Sequence, residues 1–456
     1  MALESINPKN KKLIKKFNEL SDEQIDQKIN QADAAFKVWR ETDFDERSKY
    51  LKSIAKELRN QKASLAKIMT DEVGKTLSAS EAEIEKCALT CEYYADNGED
   101  FLKPEEVETD ASKSYVRFDP LGVILAVMPW NFPFWQVFRF AAPAIMAGNT
   151  GVLKHASNVQ MSAEAMEKAM LDAGLPEGVF LNLCIGSSKV AQVIENDKVK
   201  AVTLTGSEKA GEAVASRSGG QIKKTVMELG GSDPFIVLED ADLDSAVQAA
   251  VTARLQFNGG QSCIAAKRFI VAKAVLPEFE RKLVETVSQL VVGDPTDSNT
   301  HVGPLANQQM VDDVDKQVKE SVAKGAKILA GGKPGNTAGY FYPPTIVTNT
   351  TFDMPVCNQE TFGPVFAIIG VEDTYEAIKV ANDSIYGLGS NIFTENVEKA
   401  MNDIAPKLEA GAVFINGPIK SDPRLPFGGV KKSGYGRELS HYGMKEFVNI
   451  KTVWVK

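Results

Sequence analysis

The chain has 456 residues, 43% of them hydrophobic and 25% charged. This is a globular composition in a chain too long for one core, so two or three domains are expected and a disordered or fibrous chain is excluded. A net charge of -9, from 52 basic and 61 acidic residues, offers no positive field for a phosphate backbone, which excludes nucleic acid as a partner. The best apolar run, Leu121 to Trp135, is interrupted by Pro129, Asn131 and Pro133, which excludes a membrane span.

At the N-terminus, lysines between Lys9 and Lys16 are followed by no apolar core, and Glu4 and Glu19 do not suit a transit peptide; a cytoplasmic protein is expected. Ser21 and Gln24 form a capping box. Ile25, Ile29, Ala32, Phe36 and Trp39 then recur at helical spacing, predicting an amphipathic helix that opens the fold. A second helix follows Asp45 with Leu51, Ile54, Ala55 and Leu58 on one face, and helix continues towards Tyr94. The segment from Pro104 to Ser114 is polar and reads as an exposed excursion. Beyond it, short β-rich runs alternate with helical segments: 121–127, 201–205, 234–238, 268–272, 365–371 and 411–416. That alternation predicts an α/β protein with parallel sheets.

Cys87, Cys91, Cys184, Cys263 and Cys357 are an odd, sparse set without CxxC pairs and read as reduced thiols. His155, His301 and His441 do not stand at metal-ligand spacing, so no metal site is expected. The G-x4-G of Gly206 to Gly211 is followed by Glu212, where a phosphate-binding loop needs lysine, which argues against a kinase. Leu204 to Ser207 reads instead as a strand ending in a glycine turn that opens a helix, aiming backbone N–H groups at an anion.

Three segments carry candidate chemistry. In FNGGQSC (257–263) two glycines permit close backbone approach and a polar turn delivers Cys263, although a lone cysteine is more often a small buried hydrophobe. In MELGG (227–231) the Glu228 carboxylate precedes two glycines, as in a tight turn facing a cleft; a solvated helix-end charge is the plain alternative. In MPWNFP (128–133) two prolines stiffen a loop that fixes the Asn131 amide, which otherwise reads as a turn residue bonded to its own backbone.

Together with QETFGP (359–364) and PFGGVKKSGYGRE (426–438), these segments, in this order from about Phe17 to the C-terminus, strongly resemble the aldehyde dehydrogenase superfamily. The resemblance implies a Rossmann-type cofactor domain over 1–101 and 121–229, a catalytic domain over 230–446, and a small β arm for oligomerisation over 102–120 and 447–456. It implies Cys263 as the nucleophile, Asn131 as donor to the developing oxyanion and Glu228 as the general base for thioester hydrolysis. For the dinucleotide it implies Lys154 at the adenosine ribose and Gly206 and Ser207 at the pyrophosphate. Glu360 would take the nicotinamide ribose, with Trp130 and Phe362 beside the cofactor.

Relatives that prefer NAD often carry glutamate three residues after the lysine. Here Ser157 stands there, so NADP is expected, with NAD possible. Within the superfamily the succinate-semialdehyde dehydrogenase group is the nearest pattern. It implies Arg139 as a partner for a substrate carboxylate, with Trp135, Ser421 and Phe427 lining the pocket. Some members of that group place a second arginine where this chain has Phe257, and some relatives carry a regulatory cysteine where this chain has Ala265. The partner implied is a small, carboxylate-bearing aldehyde, in a homodimer or homotetramer. A CoA-acylating relative is disfavoured by Glu228, a cysteine hydrolase by the lack of a suitably placed histidine, and a retired binding fold by the filled chemical positions.

Overall fold

The computed structural model describes residues 3–255, 258–335 and 338–456; Phe257 lies outside them. The expected first helix is Asp22–Trp39, with its capping box formed and Ile25, Ile29, Ala32, Phe36 and Trp39 buried. It does not open the fold. An antiparallel hairpin of Glu4–Asn7 and Lys12–Lys16 precedes it. The second strand of that hairpin is exposed at every position, so it lacks the one-sided apolar pattern by which a strand is read from sequence. Three more helices follow, Phe44–Asn60, Lys62–Val73 and Leu77–Phe101, the last running a turn or two beyond Tyr94.

The strands assemble into two main sheets. The first has six strands in the order Gly434–Tyr435, Lys224–Glu228, Val199–Thr205, Val123–Met128, Thr150–His155 and Phe180–Asn182, parallel except at Gly434–Tyr435. The second has seven, in the order Lys327–Ala330, Thr345–Thr348, Val365–Val371, Arg268–Ala272, Pro234–Val237, Gly389–Phe393 and Ala412–Ile415. Only its first pair is antiparallel. Strands such as Val123–Met128 and Arg268–Ala272 are buried almost throughout because helices cover both faces, which is why they read as continuous apolar runs.

The chain crosses from the first sheet to the second between Glu228 and Pro234. It returns through Gly434–Tyr435, where Leu229 N–H donates to the Ser433 carbonyl (2.9 Å) and Ser433 Oγ donates to the Gly230 carbonyl (2.7 Å). The chemistry-bearing segments gather at this crossing. The polar excursion is partly ordered as strand: Glu105–Glu106, Lys113–Pro120 and Val448–Val455 form a separate antiparallel sheet. Among the described residues, no helix is long and apolar enough to cross a membrane.

Candidate active site

Cys263 sits on the loop after helix Leu243–Leu255. Gly260 has φ +81°, and a Cβ there would stand 2.1 Å from the Gly363 carbonyl oxygen, so only glycine allows the two segments to touch. The loop is pinned from below. Lys267, fully buried, donates from Nζ to the carbonyls of Ser262 (2.9 Å) and Cys263 (2.7 Å) and lies 3.4 Å from Glu360.

The MPWNFP loop is bound to the same segment. Asn131 Nδ2 donates to the Gln261 carbonyl (3.0 Å), Asn258 Nδ2 donates to the Asn131 carbonyl (2.8 Å), and Gln136 Nε2 donates to Asn131 Oδ1 (3.0 Å). The Gln261 carbonyl, which can only accept, fixes which end of the Asn131 amide is nitrogen. One of its two hydrogens is used by Gln261, which leaves the other for an oxyanion. His155 holds the loop at its far end: Nε2 lies 3.0 Å from the Pro133 carbonyl and Nδ1 accepts from Ala156 N–H (3.0 Å). Burial pushes this imidazole down to about 4, so it is neutral and its Nε2–H donates to Pro133.

Two cavities meet at the thiol. One is walled by Trp130, Asn131, Gly206, Ser207, Glu360 and Phe362; the other by Lys86, Trp135, Arg139, Ser421, Phe427 and Ile264. Cys263 and Gln136 belong to both. The second cavity has a volume of about 130 Å³, smaller than a drug-sized site. On the first wall, Trp130 and Phe362 meet edge to face at 5.9 Å. Glu360 accepts from Gly231 N–H (3.0 Å), and a Cβ on Gly230 would crowd its other oxygen at 2.7 Å. Ser207 caps helix Glu208–Gly220, whose first N–H groups face outward beside Gly206. Lys154 is the last residue but one of strand Thr150–His155 and Ser157 lies in the turn after it, outside both walls. Burial lowers the Lys154 ammonium, and no carboxylate among the described residues pairs with it.

Two expected residues take unexpected settings. Glu228 ends strand Lys224–Glu228 but lies on neither wall. Its buried carboxyl points at Gly428, where a Cβ would stand 2.6 Å from Oε1, and neither oxygen has a hydrogen-bond partner. Burial, with the nearby Glu438 carboxyl, holds it well above the usual carboxylate range. Arg139 does line the substrate-side cavity, but not as a free fork. Its Nε pairs with the buried Glu438, its Nη2 donates to Thr205 Oγ1 (3.3 Å), and its guanidinium lies 4.5 Å over the Phe427 ring. Nη1 is left without a partner among the described residues. The Cys263 thiol is pushed up to about 12 by burial, with Arg139 and Lys267 drawing it the other way.

Sequence reasoning did not single out Gln136, Lys267, Glu438 or Lys86. Glu438 stands inside a quoted motif, and Gln136 lies five residues after Asn131 at the start of helix Trp135–Met146, so both were within reach. Lys267 is a charged residue just before the strand Arg268–Ala272, which itself opens on an arginine, a weak signal. Lys86 reads only as one polar position of a long helix. Among the described residues, no group of three or more histidine, cysteine, aspartate or glutamate side chains is placed to hold a metal ion.

The model of the aldehyde dehydrogenase family matches residues 1–453. A probable succinate-semialdehyde dehydrogenase (NADP(+)) of Synechocystis sp. is 50% identical, covering 100% of each chain. A succinate-semialdehyde dehydrogenase (NADP(+)) of Mycobacterium avium is 49% identical, covering 100% of this chain and 97% of its own. The crystal structure of succinic semialdehyde dehydrogenase from Streptococcus pyogenes in complex with NADP+ superposes with a TM-score of 0.97 at 41% identity, covering 99% of both chains.

Proposed function

Because the chain belongs to the aldehyde dehydrogenase family, we propose that it oxidises succinate semialdehyde to the acid with NADP as cofactor. The observation that carries this reading is that one thiol forms part of two cavity walls, one bearing dinucleotide-binding features and the other bearing cations among aromatic rings. The residues present fit the cofactor. The capped N-terminus of helix Glu208–Gly220 suits a pyrophosphate, Glu360 suits a ribose, and the unpaired, desolvated Lys154 with the neutral Ser157 suits a 2'-phosphate. When bound, the nicotinamide supplies the hydride acceptor.

The protein's own groups do the rest. Cys263 loses its proton to solvent and its Sγ attacks the aldehyde carbon, and the free Asn131 N–H and the Cys263 backbone N–H donate to the resulting oxyanion. Loss of hydride leaves an acyl thioester on Sγ. Glu228, in its ionised form, turns from Gly428 to the thioester and takes a proton from water; the hydroxide adds to the acyl carbon, the C–S bond breaks, and the proton passes to Sγ, regenerating the thiol with the acid. On the substrate side, Arg139 lines the cavity with Nη1 unused and available to a carboxylate, and Trp135, Phe427 and Ile264 exclude water from the chain between the two ends.

The test is cofactor reduction, followed by absorbance, with succinate semialdehyde and with butanal, NADP and NAD each, in the presence and absence of CoA. The proposal requires a higher kcat/KM with succinate semialdehyde and NADP, an acid product independent of CoA, and no turnover in Cys263→Ala. Preference for butanal would remove the carboxylate from the substrate, and dependence on CoA would replace hydrolysis by acylation. We assign the cofactor domain to 1–101 and 121–229 and the catalytic domain to 230–446, in a cytoplasmic enzyme. The arm over 102–120 and 447–456 would join copies into a dimer or tetramer: Ile450, Trp454 and Val455 are exposed on its edge strand.

A further inference from the structure

The substrate-side cavity contains a second cation that no residue neutralises. Lys86 projects from helix Leu77–Phe101, its Nζ donates to Ser421 Oγ (2.7 Å) and it lies 4.0 Å over the Trp135 ring. No carboxylate among the described residues lies within ion-pair reach of it. The neighbouring Glu83 is committed elsewhere, pairing with Lys75 and accepting the N–H groups of Phe134 and Trp135, both at 2.9 Å. Trp135 Nε1 also donates to Ser421 Oγ (3.0 Å).

The donor and acceptor count at Ser421 is decisive. Its hydroxyl oxygen has two lone pairs, and both are filled, one by an ammonium and one by an indole. Its only remaining capacity is to donate its hydrogen. Lys86 has three N–H bonds, of which one goes to Ser421 and the indole face covers part of the remainder. What is left is one O–H and at least one N–H, side by side on the wall of a cavity that holds the thiol, and with nothing to accept them. Only an acceptor satisfies both, and beside an uncompensated ammonium an anion does so best.

We propose that Lys86 and Ser421 form the seat of the substrate's distal carboxylate, with Arg139 as a flanking cation. This rests on the acid-aldehyde reading above. The site is rigid before substrate arrives, because Glu83 ties the helix bearing Lys86 to the start of the helix bearing Trp135. Burial, with Arg139 adding to it, pushes the ammonium down to about 7, so binding an anion there draws a proton onto Lys86. Glu83, Cys87, Lys75 and Arg139 act on its charge, and Lys420, Arg254 and Cys263 line the same cavity. Cys87 is held well above its ordinary range by burial and takes no part near neutrality.

The experiment compares wild type, Lys86→Met, Lys86→Arg and Ser421→Ala in two readouts: kcat/KM with succinate semialdehyde against butanal, and inhibition by succinate of butanal oxidation. Lys86→Met should lose roughly 10- to 100-fold in kcat/KM for the acid aldehyde and in succinate affinity, with less than about threefold loss for butanal. Ser421→Ala should move the same two quantities by a smaller factor, and Lys86→Arg should restore most of the loss. In wild type, succinate inhibition should weaken as pH rises above about 7, and in Lys86→Arg that pH dependence should disappear. Equal losses for both aldehydes, or unchanged succinate inhibition in Lys86→Met and Ser421→Ala, would overturn the assignment while leaving an enzyme for acid aldehydes. A wild type that favours butanal would overturn it together with the substrate reading.

Discussion

Lys267→Met removes the only ammonium beneath the nucleophile loop among the described residues. Two hydrogen bonds are lost, to the Ser262 and Cys263 carbonyls, and the buried carboxyl groups of Asp233 and Glu360 lose the nearest cation that lowers their pKa values. Removing one partner of a buried pair typically costs about 3 to 5 kcal/mol, much of it the penalty on the charge left behind. The expected loss of stability is at the lower end, about 3 kcal/mol, because Asp233, already pushed up to about 7, can take up a proton. Glu360 is held above the ordinary carboxylate range by burial and drawn down by Lys267, so it too should ionise only at higher pH in the variant. Urea titration reads the first effect. The KM for the cofactor, measured as a function of pH, reads the second: its fall with rising pH should shift to higher pH. A variant as stable as wild type, with the same pH profile for the cofactor, would show that Lys267 holds neither the loop nor Glu360.

Asn131→Ala should cost about 3 kcal/mol of transition-state stabilisation, roughly 100-fold in kcat, with little change in the KM for cofactor; a kcat within threefold of wild type would remove it from the oxyanion site. Ser157→Glu places a carboxylate beside Lys154 and should shift the kcat/KM ratio from NADP towards NAD, an unchanged ratio refuting the placement of the 2'-phosphate there. His155, held near 4 against an ordinary 6.5, contributes stability that is complete above about pH 6.5 and is lost as pH falls towards 4, about 3 kcal/mol in all. His155→Gln should therefore flatten the acid side of the stability profile measured by denaturant titration at pH 7 and pH 4.5, and parallel profiles would refute this.

What was legible in the sequence was local or spaced by a fixed geometry. Ser21 and Gln24 cap the helix they announce, Ile25 to Trp39 bury the face their spacing draws, and Gly260 precedes Cys263 because a second backbone lies against it. Pairings across the chain were not legible. Lys86 and Ser421 come from opposite ends of the sequence, and each alone is an ordinary polar residue; only the shared indole and the count of lone pairs give them meaning. The same holds for Arg139, whose charge suggested a carboxylate but whose first carboxylate is the protein's own Glu438. Glu228 is recognised by its motif, yet its turn towards Gly428 and its burial are properties of the assembled cleft.

The small antiparallel sheet also constrains how the molecule can be made. Its longest pairing joins Lys113–Pro120 to Val448–Val455, segments more than three hundred residues apart, in full register over eight pairs. On a ribosome the first of these segments emerges long before its mate, and for that interval it exposes an edge with only the two-residue strand Glu105–Glu106 beside it. Placing the two halves of one ribbon at opposite ends of the message makes closure of this sheet an expected late step on refolding from denaturant.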